Sequence, residues 1–213
     1  EGAQTLLEHL EVHALGNMDP RIHLALLTDF PDAESERLPG EDEVLAAAVE
    51  GINALNARYA PDTGDRFHLF HRARRWNASE GVWMGWERKR GKIEEFNRLL
   101  RGAGDTSFTV QVGAPEILPR VRYCITLDSD TRLPRDAARQ LIGVIEHPLN
   151  RPRFDPKLQR VVDGYGILQP RVSVTMASAA RSLFARVYAG HTGVDPYTTA
   201  VSDTYQDLFG EGS

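Results

Sequence analysis

The chain has 213 residues, 41% hydrophobic and 26% charged, which suits one medium domain or two small ones with a sizeable core. A net charge of -5 argues against a general nucleic-acid binder, which carries a basic face, and no apolar stretch approaches the roughly 18 residues of a membrane span. The single cysteine, Cys124, excludes an intrachain disulfide and, inside an apolar run, reads as a buried small hydrophobe.

Helical and extended patterns then alternate along the chain. Leu6, Leu7, Leu10 and Ala14 have the spacing of a helix closed by Gly16-Asn17. "RIHLALLTDFPDA" reads as a buried strand ending at Asp29, with Pro31 and Asp32 in the loop after it. In "PGEDEVLAAAVEGINALNARYA", Leu45, Ala48, Val49, Ile52 and Leu55 share one helical face, and acids occupy the first turn. "DRFHLFHRA" is a second strand, "GKIEEFNRLLRGAG" a helix with a glycine-rich end, and "TSFTVQVG" a short strand or hairpin arm. Tyr123 to Leu127 reads as a strand buried on both faces, running into Asp128 and Asp130. After Pro134 a helix carries Ala138, Leu141, Ile142 and Ile145 until His147-Pro148 stops it. "VVDGYGILQPRVSV" is one more strand and "MASAARSLFARVYAGH" a small-residue helix. This order predicts an α/β fold with a mostly parallel sheet. No signal peptide is visible, and the chain opens on Glu1 and stops at Gly212-Ser213, so it reads as an excised piece of something longer.

One shift in composition stands out. Residues 66 to 101 hold ten of the 25 Lys and Arg against four acids, together with all three tryptophans. Most of these arginines read as a solvated, salt-bridged surface. A Lys/Arg-Gly-Lys sequence opening a helix, however, sets cations at its positive end, where anions bind. Asp128 and Asp130 fall at the carboxyl end of a strand, where open α/β sheets bind ligands. Two carboxylates that close repel unless a cation or a row of donors lies between them. Together the basic stretch and the acidic pair suggest a phosphorylated ligand with a bound divalent ion. A haloacid-dehalogenase-type phosphatase uses Asp-x-Asp-x-Thr or Val, but here Arg132 takes the last place and Thr131 comes one residue early.

On these residues the chain resembles family-two glycosyltransferases of the GT-A fold, relatives of cellulose synthase. "KRGKIEEFN" looks like their Lys-x-Gly…Asn stretch, "YCITLDSDT" like their metal-binding strand, and "GYGILQPRV" like the later strand with a Val-Gln-Pro signature. Three longer runs resemble, more narrowly, the glycosyltransferase domain of cyclic β-1,2-glucan synthases: "LEHLEVHALGNMDPRIHLALLTDFPDA", "LDSDTRLPRDAARQLIGVIEHPLNRPRFD" and "GHTGVDPYTTAVSDTYQDLFGEGS".

The resemblance implies a GT-A, Rossmann-like domain over residues 1–213, truncated at both ends. It implies UDP-glucose as donor, Mg²⁺ or Mn²⁺ as cofactor, a growing β-1,2-glucan as acceptor, and inversion at the anomeric carbon. Position by position, Asp29 would meet the uracil end, and Lys89, Arg90 and Lys92 would lie near the diphosphate. Asp128 would lie towards the ribose and Asp130 on the metal. The parent would be a bacterial inner-membrane protein with this soluble part on the cytoplasmic side. Alternatives are a family-two glucosyltransferase making another linkage, or a non-catalytic fragment that docks on the remainder of its parent.

Two departures accompany the match. Relatives begin with a nucleotide-binding strand, whereas residue 1 here already lies in the helix that follows it. Their catalytic base is an aspartate well after the equivalent of "GEGS"; Asp203 and Asp207 are the weak candidates within this chain. The fragment alone is therefore expected to be inactive, to bind UDP-glucose weakly if at all, and to self-associate through an open sheet edge. Of the remaining residues, His68 and His71 fall on opposite strand faces and make a poor chelate. Trp83, Trp86 and His191 are the side chains with a reason to touch a sugar.

Overall fold

A computed structural model describes residues 2–59 and 64–170 of the chain. His191, Asp203, Asp207 and the helix expected at 176–191 lie outside the described residues. The chain divides into two compact units, Glu1–Gly143 and Val144–Ser213.

The first unit is built on a three-stranded sheet in the order β1 (Leu24–Asp29), β2 (Phe67–Arg72), β5 (Phe108–Val112). β1 and β2 are parallel, joined through helix α2 (Glu41–Tyr59), while β5 runs antiparallel to β2. The expected mostly parallel sheet is thus only partly parallel. Helix α1 (Ala3–Gly16) precedes β1, and α3 (Arg88–Leu100) follows a small hairpin, β3 (Arg75–Asn77) with β4 (Val82–Met84).

Alternation along the strands explains why both sheet faces are covered. Leu24 packs with Phe67 and Leu69 against Leu7, Leu10 and Ala14 of α1 and Ile52 and Leu55 of α2. Ala25, Leu27 and Phe70 point the other way, onto Phe108, Leu118 and the Phe96, Leu99 and Leu100 face of α3. Each fully buried Leu or Phe contributes about 1.5–3 kcal/mol, so these two layers hold the sheet. A buried amide finishes the start of β2: Asn56 accepts from the Arg66 and Phe67 N–H groups and donates to the Phe67 carbonyl at 2.8 Å. All six residues of β2 are buried, and that makes Arg72 at its end the unusual member.

The strand expected at Tyr123–Leu127 does not form. Residues 121–127 follow a 3₁₀ turn (Pro115–Arg120) without joining any sheet, and Cys124, Ile125 and Leu127 are exposed. The reading of Cys124 as buried is therefore corrected. An apolar run of strand formers becomes a strand only where a neighbouring strand supplies a ladder. Among the described residues β1 is paired on one side alone, by β2.

Helix α4 (Ala137–Ile145) forms where its apolar spacing placed it. In the second unit, β6 (Arg153–Asp155) and β7 (Arg160–Asp163) make a hairpin whose β7 residues are all exposed. The strand expected over "VVDGYGILQPRVSV" stops at Asp163; residues 164–170 lie outside any strand and 171–174 outside the described residues. No helix among the described residues is long and apolar enough to cross a membrane.

Candidate anion and metal site

At the carboxyl end of β1 the chain opens a cleft of about 400 Å³. Asp29 at the end of β1 and Phe30, Pro31 and Asp32 of the loop after it line one side, and Gly85 with Arg88 and Lys89 at the start of α3 line the other. The loop is tied to the β3–β4 hairpin by a two-way backbone pair, Ala33 with Trp83, each at 2.9 Å.

Asp29 is the acidic centre of this cleft. Its Oδ2 accepts from Arg72 Nη2 at 2.6 Å and its Oδ1 from Lys92 Nζ at 2.7 Å. Burial alone would raise its pKa; the two hydrogen-bonded cations outweigh that and hold it below the usual carboxylate value. Asp29 is therefore ionised at neutral pH and acts as an acceptor. Position 85 must be glycine for this contact, since a Cβ there would stand 2.7 Å from Asp29 Oδ2 and 2.8 Å from Arg72 Nη2.

The turn that presents the lysines is conformationally unusual. Glu87 and Arg88 have φ of 50° and 48°, in the left-handed region. Gly91 then passes directly over the Trp86 carbonyl, and a Cβ at 91 would stand 2.0 Å from that oxygen. Helix propensity favours alanine over glycine here by about 1 kcal/mol, but the backbone clash works against it with about 1–3 kcal/mol or more. Gly91→Ala is therefore expected to destabilise the chain, read as a lower urea midpoint at unchanged slope. A raised midpoint would show that the turn is softer than its geometry implies.

Each cation of this turn has an acidic partner. Lys89 Nζ pairs with Asp128, Lys92 with Asp29, Arg88 with Asp32 and Glu80, and Arg90 with Glu87. Asp128 thereby comes to Lys89, which is itself a lining residue of the cleft, although the segment before Asp128 is no strand. The Thr131 N–H donates to the Asp128 carbonyl at 3.0 Å, closing a turn that contains Ser129 and the exposed Asp130. The turn and the loop after it are anchored on α1 and the residue that caps it. His9 Nδ1 lies 3.1 Å from the Ser129 carbonyl, the Asp136 N–H donates to the Gly16 carbonyl at 2.9 Å, and buried Asn17 accepts from the Ala138 N–H at 3.0 Å.

The histidines do not converge. His68 lies 3.1 Å from His23 and His71 lies 3.0 Å from Thr28 Oγ1, each in its own buried place. Trp83 packs on Trp76 across the hairpin with ring centres 6.0 Å apart, and Trp86 is partly exposed beside Arg90. Among the described residues no three His, Cys, Asp or Glu side chains cluster as a ready-made metal cage.

Two arginines of the basic stretch, whose arginines mostly read as a solvated surface, are buried. Arg74 donates to the Pro31 carbonyl and to both oxygens of Glu41, and Arg72 bridges Asp29 and Glu95. The available signal was the unbroken burial-compatible run Phe67–Phe70, which leaves no solvent face for a charge to follow onto.

No protein-family model matches the chain. Over 209 residues, 98% of its length, the chain is 51% identical to the cyclic beta-(1,2)-glucan synthase NdvB of Rhizobium meliloti (strain 1021). It spans 7% of that protein's length. The ordered motifs and this identity agree, and the chain is related in sequence to one segment of a cyclic β-(1,2)-glucan synthase.

Proposed function

We propose that the cleft beside Asp29 is the donor end of a glucosyltransferase of GT-A type that builds β-1,2-glucan from UDP-glucose by inversion. The observation that carries this reading is the meeting of two acidic positions with one basic turn. Lys92 reaches Asp29 and Lys89 reaches Asp128, although 63 and 39 residues separate the partners in sequence. Asp29 offers an ionised acceptor to a nucleobase N–H, and Lys89, Arg90 and Lys92 lie within one helical turn where a diphosphate would rest.

The donor set fits a hard divalent cation, Mg²⁺ or Mn²⁺, because Asp128 and Asp130 offer oxygen ligands only and Asp128 already carries the Lys89 ammonium against it. Bound there, the ion would offset the charge that builds on the departing nucleoside diphosphate. With Asp128 engaged by such an ion, Lys89 would be released from its pair with Asp128 and could turn its ammonium to a phosphate oxygen. The growing glucan as acceptor, and a membrane-bound parent with this part on the cytoplasmic side, complete the reading.

Calorimetric titration of the chain with UDP, with and without Mn²⁺, tests it. Binding should require Mn²⁺ and fall by about tenfold or more in Asp130→Ala, a loss of about 1.4 kcal/mol. Metal-independent binding, or equal affinity in the variant, would remove the metal from the reading. The edge of β1 away from β2 is open among the described residues, so the chain should also self-associate at high concentration. Elution as a monomer at every concentration in size-exclusion chromatography would count against that expectation.

A further inference from the structure

We infer that Arg72 is a positioning residue: its buried guanidinium, held from behind by Glu95, which Ser107 fixes in turn, sets where the Trp86–Lys92 turn presents its lysines to the cleft. The inference rests on the anion-site reading above and adds the group that builds the site without touching a ligand.

A guanidinium is a planar fork of five donors. Arg72 Nη1 donates to Glu95 Oε2 and to the Trp86 carbonyl, both at 3.0 Å. Nη2 donates to Asp29 Oδ2 at 2.6 Å and to the Arg88 carbonyl at 2.8 Å. Two acceptors are thus main-chain carbonyls flanking Glu87, and two are carboxylates from β1 and α3. One rigid group fastens the end of β1, the turn and the helix together. Glu87 and Arg88 both hold positive φ, which persists in residues with side chains only where the surroundings over-determine it. The two carbonyl contacts supply that constraint.

Glu95 is fixed in turn. The Ser107 hydroxyl donates to Oε2 at 2.5 Å and the Ser107 N–H donates to Oε1 at 3.2 Å. Arg72 Nε finds no acceptor among the described residues, so the orientation serves Nη1 and Nη2 at the expense of Nε. Buried ion pairs are also poor stabilisers compared with apolar side chains of similar volume, so core stability alone does not call for arginine here. Lysine keeps the charge but offers a single ammonium, which does not span the two branches.

Arg74 supplies an internal control. It is buried and ion-paired as Arg72 is, but it holds the Pro31 and Glu36 carbonyls of the loop after β1 and the Glu41 carboxylate at the start of α2.

The test is limited trypsin digestion of the 213-residue chain, comparing cleavage after Lys89 or Arg90 with cleavage after Arg37. Cleavage tracks local opening, so Arg72→Lys and Glu95→Gln should accelerate it at Lys89 and Arg90 by about tenfold and leave Arg37 within about twofold. Arg74→Lys should do the reverse. Should Arg72→Lys fail to fold, Glu95→Gln, which keeps the guanidinium and neutralises only its rear partner, carries the same comparison. Calorimetry with UDP and Mn²⁺ should show affinity falling by about tenfold in Arg72→Lys. Equal acceleration at both places in every variant, or no change at Lys89 and Arg90, overturns the positioning role. Absence of UDP binding by the unmodified chain counts against the anion-site reading instead, and the digestion pattern still decides the role of Arg72.

Discussion

An Arg72→Met variant should lose about 3–5 kcal/mol of folding stability, the cost of leaving a buried charge without its partner. The stranded group is Glu95. Asp29 retains Lys92 at 2.7 Å, whereas Glu95 keeps only the two donors of Ser107. In the native chain burial pushes the Glu95 pKa up, and the Ser107 and Arg72 hydrogen bonds more than reverse this, leaving it low. Without Arg72 the burial effect gains the upper hand, the folded pKa rises, and the penalty is present where Glu95 must be ionised. It disappears where the carboxyl is protonated. The loss measured by urea unfolding should therefore be largest near neutral pH and shrink towards pH 4 and below. Removing both charges together, in Arg72→Met/Glu95→Met, should restore most of the stability, because apolar replacements of a whole buried pair are close to neutral. A single variant as stable as the native chain at pH 7 would mean that water reaches Glu95.

Much of the fold could be read from local patterns. α1, α2, α3 and α4 follow apolar spacings that a helix satisfies by itself, and β1 and β2 are apolar runs with covered faces. The failures are places where the outcome depends on a distant partner. Residues 123–127 have the composition of a buried strand, but composition does not reveal whether a neighbouring strand is present to pair with them. The hairpin of β3 and β4 escaped notice for a related reason: its strands of three residues each, joined through Asn77–Gly81, are too short to show a period.

At the site, the residues whose charge is unusual in their surroundings were visible. Asp29 stands at the end of an apolar strand, and Lys89 and Lys92 flank a glycine at a helix start. What escaped was the framework behind them. Arg72, Arg74 and Glu95 look like ordinary surface charges in a charged stretch, yet each is nearly inaccessible. Burial of a charge is decided by which opposite charges the fold brings to it, and those partners come from β1, α2 and α3. Asp128 illustrates the converse. It was expected at a strand end and is found at the end of an irregular segment, held near the basic turn by Lys89 and by the anchoring of its loop on α1.

Acidification from pH 7 to pH 4 should remove a large part of the chain's stability before the carboxylates are fully protonated. His68 is 2% exposed, and burial, reinforced by the neighbouring His23, lowers its pKa from 6.5 to about 4. Glu116 opposes this shift without cancelling it. A base whose folded pKa is depressed contributes its full stability above its unfolded pKa and loses it as pH falls through the folded value. The unfolded chain binds the proton first, so the loss runs from about pH 6.5 down to about pH 4 and amounts to at most about 3 kcal/mol. His23 and His71, also depressed mainly by burial, act in the same direction. Asp29 and Glu95, whose folded pKa values lie below the ordinary 3.8 and 4.5, extend the loss to lower pH as they protonate. His68→Gln preserves an amide partner for His23 but does not titrate, so its urea midpoint should fall less than that of the native chain between pH 6.5 and 5. If the native midpoint is the same at pH 5 as at pH 7, the ring already carries a proton in the folded chain, and the burial argument for β2 fails at that residue.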